Sequence, residues 1–308
     1  MPAIELSDVT KRYGDVTAVR DLDLTVSEGE VFGFLGPNGA GKSTTINMLL
    51  DFVRPTSGTV RVLGHDAQRE SVTVRRRTGV LPEGFDVYDR LTGRKHIEFA
   101  LRSKEVDVSP DEMLARVGLS EAADRKAGGY SKGMRQRLAL GMALVGDPDL
   151  LILDEPSSGL DPAGAKEMRD IVRGEADRGA TVFFSSHVLG QVESVCDRVG
   201  IMREGELIAE DSIESLREAA GSDETLVLTV DSATQDDLDA VRALDGVSGA
   251  TTDGGTVTVS CDSGAKTEVI AALEDQGVTV RDFETQSASL EDLFLSYTEG
   301  EEKREVSA

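Results

Sequence analysis

From the start of the chain to about residue 215, short apolar runs alternate with stretches of helical period. Val31 to Leu35, Leu150 to Leu153 and Thr181 to Ser185 are runs of strand length with few charges, as expected of strands covered on both faces. Strands separated by helical periods predict an α/β unit with mostly buried strands. Between Tyr88 and Leu144 no strand-like run appears. There Leu91, Phe99, Leu101, Met113, Leu114, Val117 and Leu119 recur at helical spacings, so residues of about 85–145 are expected to form a helical subdomain inserted between strands.

After Leu216 the pattern restarts. Ala219 to Glu224 (AAGSDE) is small and polar and reads as a linker. Thr225 to Val230 alternates as a strand, Asp236 to Leu244 has a helical period, and Ser248 to Ser260 reads as a hairpin turning at Asp253-Gly254-Gly255. A helix at Ala265 to Gln276 and a strand at Val278 to Phe283 complete the order βαββαβ, which predicts a small α+β ferredoxin-like domain. An amphipathic helix at Ser289 to Tyr297 and the charged tail EGEEKREVSA close the chain. The expected divisions are 1–218, 225–285 and 289–308, and no internal repeat is present.

Composition narrows the partners. Acidic residues number 57 against 33 lysines and arginines, a formal charge of −24, which repels a nucleic-acid backbone. A surface so acidic suits high salt, where screening relieves its self-repulsion, and adaptation to a salty cytoplasm is the expectation. The longest apolar runs fall far short of the ~20 residues that cross a bilayer. Met1 to Val9 lacks the features of a secretory signal, so a cytoplasmic location is expected. Cys196 and Cys261 stand far apart and form no metal-binding spacing. Arg75 to Arg77 is a short basic run, read as a solvated face.

The chemistry concentrates in two places. Gly36-Pro37-Asn38-Gly39-Ala40-Gly41-Lys42-Ser43 matches GxxxxGK[ST] and lies between the apolar run VFGFL and the helical TTINMLL, beginning at Thr44. Glycines there let backbone N–H groups turn toward phosphate oxygens, and the helix N-terminus adds partial positive charge. Lys42 is expected on the β- and γ-phosphates of ATP and Ser43 on Mg2+. Leu150 to Glu155 (LLILDE) is a buried-strand run ending in two carboxylates. Asp154 is expected to hold Mg2+, and Glu155 to orient or deprotonate the attacking water as general base.

With these motifs in this order, the first 215 residues or so resemble the ABC ATPases. Ser131 to Gln136, within YSKGMRQRLAL, resembles the signature loop, with Lys132 and Met134 where the family has Gly and Gln. SGLD (Ser158 to Asp161) resembles the D-loop, His187 the switch histidine, and Tyr13 the aromatic that stacks on adenine. The resemblance implies a P-loop NTPase fold that hydrolyses ATP. It also implies a head-to-tail homodimer in which Ser131 and Gly133 close on the γ-phosphate held by the partner's P-loop, with Asp161 linking the two sites and His187 on the γ-phosphate. One position departs from the pattern: Glu83, in Leu81-Pro82-Glu83, stands where many members have the Q-loop glutamine, and a carboxylate there is a candidate Mg2+ ligand.

Within the family, YSKGMRQR and SLEDLFLSYT are similar to subunits that power export of drugs, antibiotics, sodium or polysaccharides through a separate membrane permease. That implies a chain at the cytoplasmic face of the membrane, with residues of about 83–99 receiving a helix of the permease. The alternative is a non-transport ABC ATPase acting as a soluble regulatory switch, and import rather than export stays open. The ferredoxin-like region contains no cluster with catalytic or metal-ligand chemistry and reads as a docking or regulatory domain.

Overall fold

The computed structural model describes residues 2–215, 224–262 and 264–286. The chain divides into two compact units, Met1–Ser212 and Ile213–Ala308.

The first unit opens with an antiparallel sheet. Strands β1 (Pro2–Tyr13) and β2 (Val16–Ser27) pair with each other, β4 (Ser57–Val62) joins the free side of β1, and β5 (His65–Asp66) pairs with β4. Leu22, Leu24 and Val26 are buried and the residues between them exposed, the alternation of a sheet covered on one face. These residues therefore depart from the buried-strand α/β pattern expected up to residue 215.

A second sheet carries that expected pattern. Its strands β3 (Val31–Leu35), β6 (Thr78–Leu81), β7 (Leu150–Asp154), β8 (Thr181–Ser186) and β9 (Arg198–Arg203) run parallel, and β10 (Glu206–Ser212) closes one edge antiparallel, giving the order β10-β9-β3-β8-β7-β6. Every residue of β3, β7 and β8 is buried, which is why these segments read as unbroken apolar runs. Helix α1 (Lys42–Leu49) follows β3, and α2 (Ser71–Arg77) precedes β6.

Between β6 and its neighbour β7 the chain makes helices α3 (Gly93–Lys104), α4 (Pro110–Arg116) and α5 (Lys132–Ala143). Side chains at their starts explain where each begins: Thr92 accepts from Lys95 N–H, Ser109 from Asp111 N–H with Pro110 in the first turn, and Ser131 from Met134 N–H. After β7 come α6 (Pro162–Ala176), β8 and the short α7 (Leu189–Glu193). Arg116 of α4 reaches the buried carboxylate of Glu175 in α6, with Nε 2.8 Å from Oε1, and also bonds Asp147 at 2.6 Å. This ion pair ties the helical insertion to the sheet-bearing part.

The second unit has strands β11 (Glu224–Val230), β12 (Val247–Asp253), β13 (Thr256–Cys261) and β14 (Val280–Gln286), with α8 (Gln235–Arg242) and α9 (Lys266–Asp275) between them. All pairs are antiparallel and the order is β12-β13-β11-β14, the arrangement of a split βαβ fold. Leu226, Leu228, Val257, Val259, Val241 and Leu273 fill its core. Glu224 opens β11; the remainder of the linker read at 219–224, and the helix and tail read at 289–308, lie outside the described residues. No helix among the described residues is long and apolar enough to cross a membrane.

Candidate functional site

Strand β3 delivers the chain into the loop Gly36–Gly41, and α1 starts at Lys42. Two of its glycines are required by geometry. A Cβ on Gly36 would lie 2.5 Å from Met202 O, and Gly41, at φ +107°, would place one 2.6 Å from Ala18 O. Lys42 folds back under the loop, its Nζ donating to Gly36 O at 2.6 Å and Pro37 O at 3.3 Å. Burial pushes its pKa below that of a free lysine, and the carboxylates of Glu155, Asp154 and Glu83 oppose the shift.

The two carboxylates that end β7 are both buried. Asp154 Oδ1 accepts from the hydroxyl of Ser185 on the neighbouring strand β8. Glu155 turns out of the strand at φ +50°, a conformation that non-glycine residues seldom occupy, and its N–H donates to Ser185 O at 3.2 Å. Its Oε1 lies 2.9 Å from His187 Nδ1 and 3.8 Å from Lys42 Nζ. Oε2 is buried and has no hydrogen-bond partner among the described residues, so it is held ready for a ligand or water.

These groups meet at one cavity of about 370 Å3, lined by Pro37, Asn38, Gly39, Gly41, Lys42, Ser43, Thr44, Glu83, Asp154 and Glu155, with Ala18 on its wall. Gly36 and Ala40, in the same loop, are buried and do not line the cavity. Of the other expected residues, His187 meets this cavity only through Glu155, and Tyr13, Ser131, Gly133 and Asp161 stand outside it. Tyr13 ends β1, about half exposed, with Lys11 Nζ 4.7 Å from its ring centroid. Ser131 caps α5, Gly133 lies in its first turn, and Asp161 caps α6 by accepting from Gly164 N–H at 2.9 Å. A neighbouring space of about 500 Å3 is shared by Glu83, Phe85, Lys132, Arg135, Glu155 and Ser158. Arg135 there holds both oxygens of Asp86, at 3.0 and 3.1 Å, and also Asp89.

Two contributors escaped the sequence reading. Ser185 is a hydroxyl inside an otherwise apolar buried strand, a signal that was available. Ala18 carries no chemical signal at all.

A further groove, of about 310 Å3, opens on the helical insertion. Leu50, Phe52, Phe85, Phe99, Ala139 and Met142 give it apolar walls, and Arg75 and Lys104 lie on it. Phe52, Phe85 and Phe99 remain 61%, 40% and 63% exposed, an apolar patch of the kind that marks a docking surface.

Comparison with known proteins gives the following. A sequence model of the ABC transporter family matches residues 19–158, and one described as the ATP-binding protein DrrA1-3-like, C-terminal domain, matches residues 212–298. The chain is 34% identical to the daunorubicin resistance ATP-binding protein DrrA3 of Streptomyces coeruleorubidus, over 98% of this chain and 97% of that one. It is 38% identical to the daunorubicin/doxorubicin resistance ATP-binding protein DrrA of Streptomyces peucetius, over 96% and 92%. Identity to the bacitracin transport ATP-binding protein BcrA of Bacillus licheniformis is 41%, over 70% and 71%. Among solved structures, the ATP-binding subunit of an ABC transporter superposes with a TM-score of 0.64 at 28% identity, covering 71% of this chain and 93% of that one. The cassette MJ0796, a post-hydrolysis dimer bound to ADP and Pi, gives 0.62 at 25% identity, over 68% and 98%. The resistance and transport names among these relatives favour a transport role over a soluble switch.

Proposed function

This chain belongs to the ABC transporter family as an ATP-hydrolysing ATP-binding subunit, and from that premise we propose that it powers export of a drug-like or antibiotic molecule through a separate membrane permease. The observation that carries the site assignment is the meeting of Lys42, Asp154, Glu155 and Glu83 at one cavity, with His187 on the carboxylate of Glu155. In this reading the loop N–H groups and Lys42 bind the phosphates, Glu155 positions and deprotonates the attacking water, and His187 orients Glu155 and meets the γ-phosphate. Tyr13 stacks on adenine.

Ser43, Asp154 and Glu83 would hold Mg2+. They supply oxygen donors only, as that ion prefers. Among the described residues no group of three or more His, Cys, Asp and Glu side chains is arranged to hold a metal. When bound, the ion neutralises phosphate charge.

Dimeric cassettes among the structural relatives support a homodimer in which Ser131, Gly133 and Asp161, which stand outside the cavity of a single chain, complete the partner's site. The exposed groove beside Phe85 supports docking of a permease helix, which holds the chain at the cytoplasmic face of the membrane. The surplus of acidic residues supports adaptation to high salt. The second unit is a docking or regulatory element, and truncation at Gly221 is expected to weaken ATP-dependent dimerisation.

The test is steady-state ATP hydrolysis by the purified chain at low and multimolar KCl, for wild type and Glu155→Gln. Salt-supported turnover that the substitution abolishes, together with an ATP-trapped dimer on size exclusion, is the expected result. Turnover undiminished in Glu155→Gln overturns the catalytic assignment.

A further inference from the structure

The groove beside Phe85 holds a cation that the described residues leave unmatched. Lys104, the last residue of α3, is half-buried, and its ammonium makes one hydrogen bond, to Thr78 O at 3.0 Å. An ammonium has three protons to donate. No carboxylate of the described residues pairs with it, although the chain carries 57 acidic residues. Other cations of the same unit are matched: Arg77 with Asp149, Arg94 with Asp111 and Asp124, Arg116 with Glu175, and Arg135 with Asp86 and Asp89. Arg75, which also lines the groove, bonds only the hydroxyl of Ser71 among the described residues, at 3.2 Å. Burial holds the Lys104 pKa below its usual value, as it does for a cation without a counter-charge.

The walls indicate the shape of the occupant. One wall is α5, presenting Ala139, Met142 and Ala143 at positions i, i+3 and i+4; the other is α3, presenting Phe99, Ala100 and Ser103. Two helix faces side by side, with exposed Phe99 beside the small buried Ala100, Ala139 and Ala143, suit the seating of a third helix. An extended peptide laid against the same apolar walls would leave its own N–H and C=O groups unsatisfied.

We infer that the groove takes an amphipathic helix of the membrane partner that carries an Asp or Glu placed to pair with Lys104, so that partner choice is set by this charge as well as by the apolar face. The inference rests on the proposed permease docking and adds the chemistry of the docked segment. Apolar contact supplies the attachment, and the carboxylate selects among helices.

The test uses the full chain and three synthetic amphipathic helices with one apolar face in common, bearing Glu, Gln or Lys at the polar position facing Lys104. Binding is read by fluorescence anisotropy at a fixed salt concentration in which the chain is folded. The Glu helix is expected to bind roughly tenfold more tightly than the Gln helix, a difference of about 1.4 kcal/mol, and the Lys helix more weakly than either. Lys104→Gln should erase the preference, and Lys104→Arg should keep it. Equal binding of the three helices, no binding of any, or a Glu preference that survives in Lys104→Gln each overturns the inference. ATP hydrolysis measured on the same preparations reports separately on the nucleotide-site reading.

Discussion

His187 Nδ1 stands 2.9 Å from Glu155 Oε1, across 32 residues of sequence. The contact joins the residue that follows β7 to the residue that follows β8, two strands that pair in parallel, so the sheet brings the two together. Glu155→Gln keeps the side-chain shape and removes the base. Turnover should fall by about 100-fold to 10,000-fold with ATP still bound, measured by steady-state hydrolysis beside equilibrium nucleotide binding. Loss of binding in parallel with turnover would contradict a role confined to the chemical step.

Glu83→Gln tests the position where a carboxylate stands in place of an amide. It keeps an oxygen on the cavity wall and removes one of the three charges that oppose the lowering of the Lys42 pKa. Turnover at saturating Mg2+ should stay within a few fold of wild type. Complete loss would show that the negative charge itself is needed.

Gly41→Ala should weaken nucleotide binding and lower the melting temperature. The residue sits at φ +107°, and the added methyl would press on Ala18 O at 2.6 Å. Holding a non-glycine residue in such a conformation costs at least about 1 kcal/mol before any clash. Wild-type melting and affinity in this variant would show that the loop relaxes without penalty.

Glu175→Ala removes the buried partner of Arg116 and of Arg178. It should destabilise the first unit by about 3 kcal/mol, read as a shift in the urea unfolding midpoint. Truncating the exposed Asp147, which also contacts Arg116, should cost far less. Equal effects would mean that burial does not set the strength of the pair.

The melting temperature should rise as KCl goes from low to multimolar concentration, because 57 acidic against 33 basic residues leave a net repulsion that salt screens. A flat or falling curve in differential scanning calorimetry would count against adaptation to salt.

How far the sequence revealed all this depends on how local each feature is. The loop Gly36–Ser43 and the pair Asp154-Glu155 are contiguous, so their chemistry was legible in residue order. The βαββαβ order from 225 onward was legible because β11 and β13 alternate apolar with polar residues and most of the turns carry glycine, as at Gly246, Gly254 and Gly277. The antiparallel sheet was not legible, since β1 pairs with β4 across the whole of the P-loop and α1, and no local pattern encodes that return. The groove was hidden for the same reason: Phe52, Phe85 and Phe99 come from three separate segments, and nothing in residue order brings them together. Nothing in residue order marks Lys104; only the fold sets it against Thr78 O and on the same groove as Phe99.

Helix α5 begins at the Ser131 cap, where the proposed dimer would place a neighbouring protomer's nucleotide, and its far end supplies Ala139, Met142 and Ala143 to the groove wall. Twelve residues of unbroken helix span roughly 18 Å at 1.5 Å per residue. A strut of that length bends little, so a push on the groove end arrives at the cap end nearly undiminished. If the proposed docking and dimer hold, α5 is a short, stiff link between the membrane partner and the neighbouring protomer's nucleotide, so that pull on one end and closure at the other become a single movement.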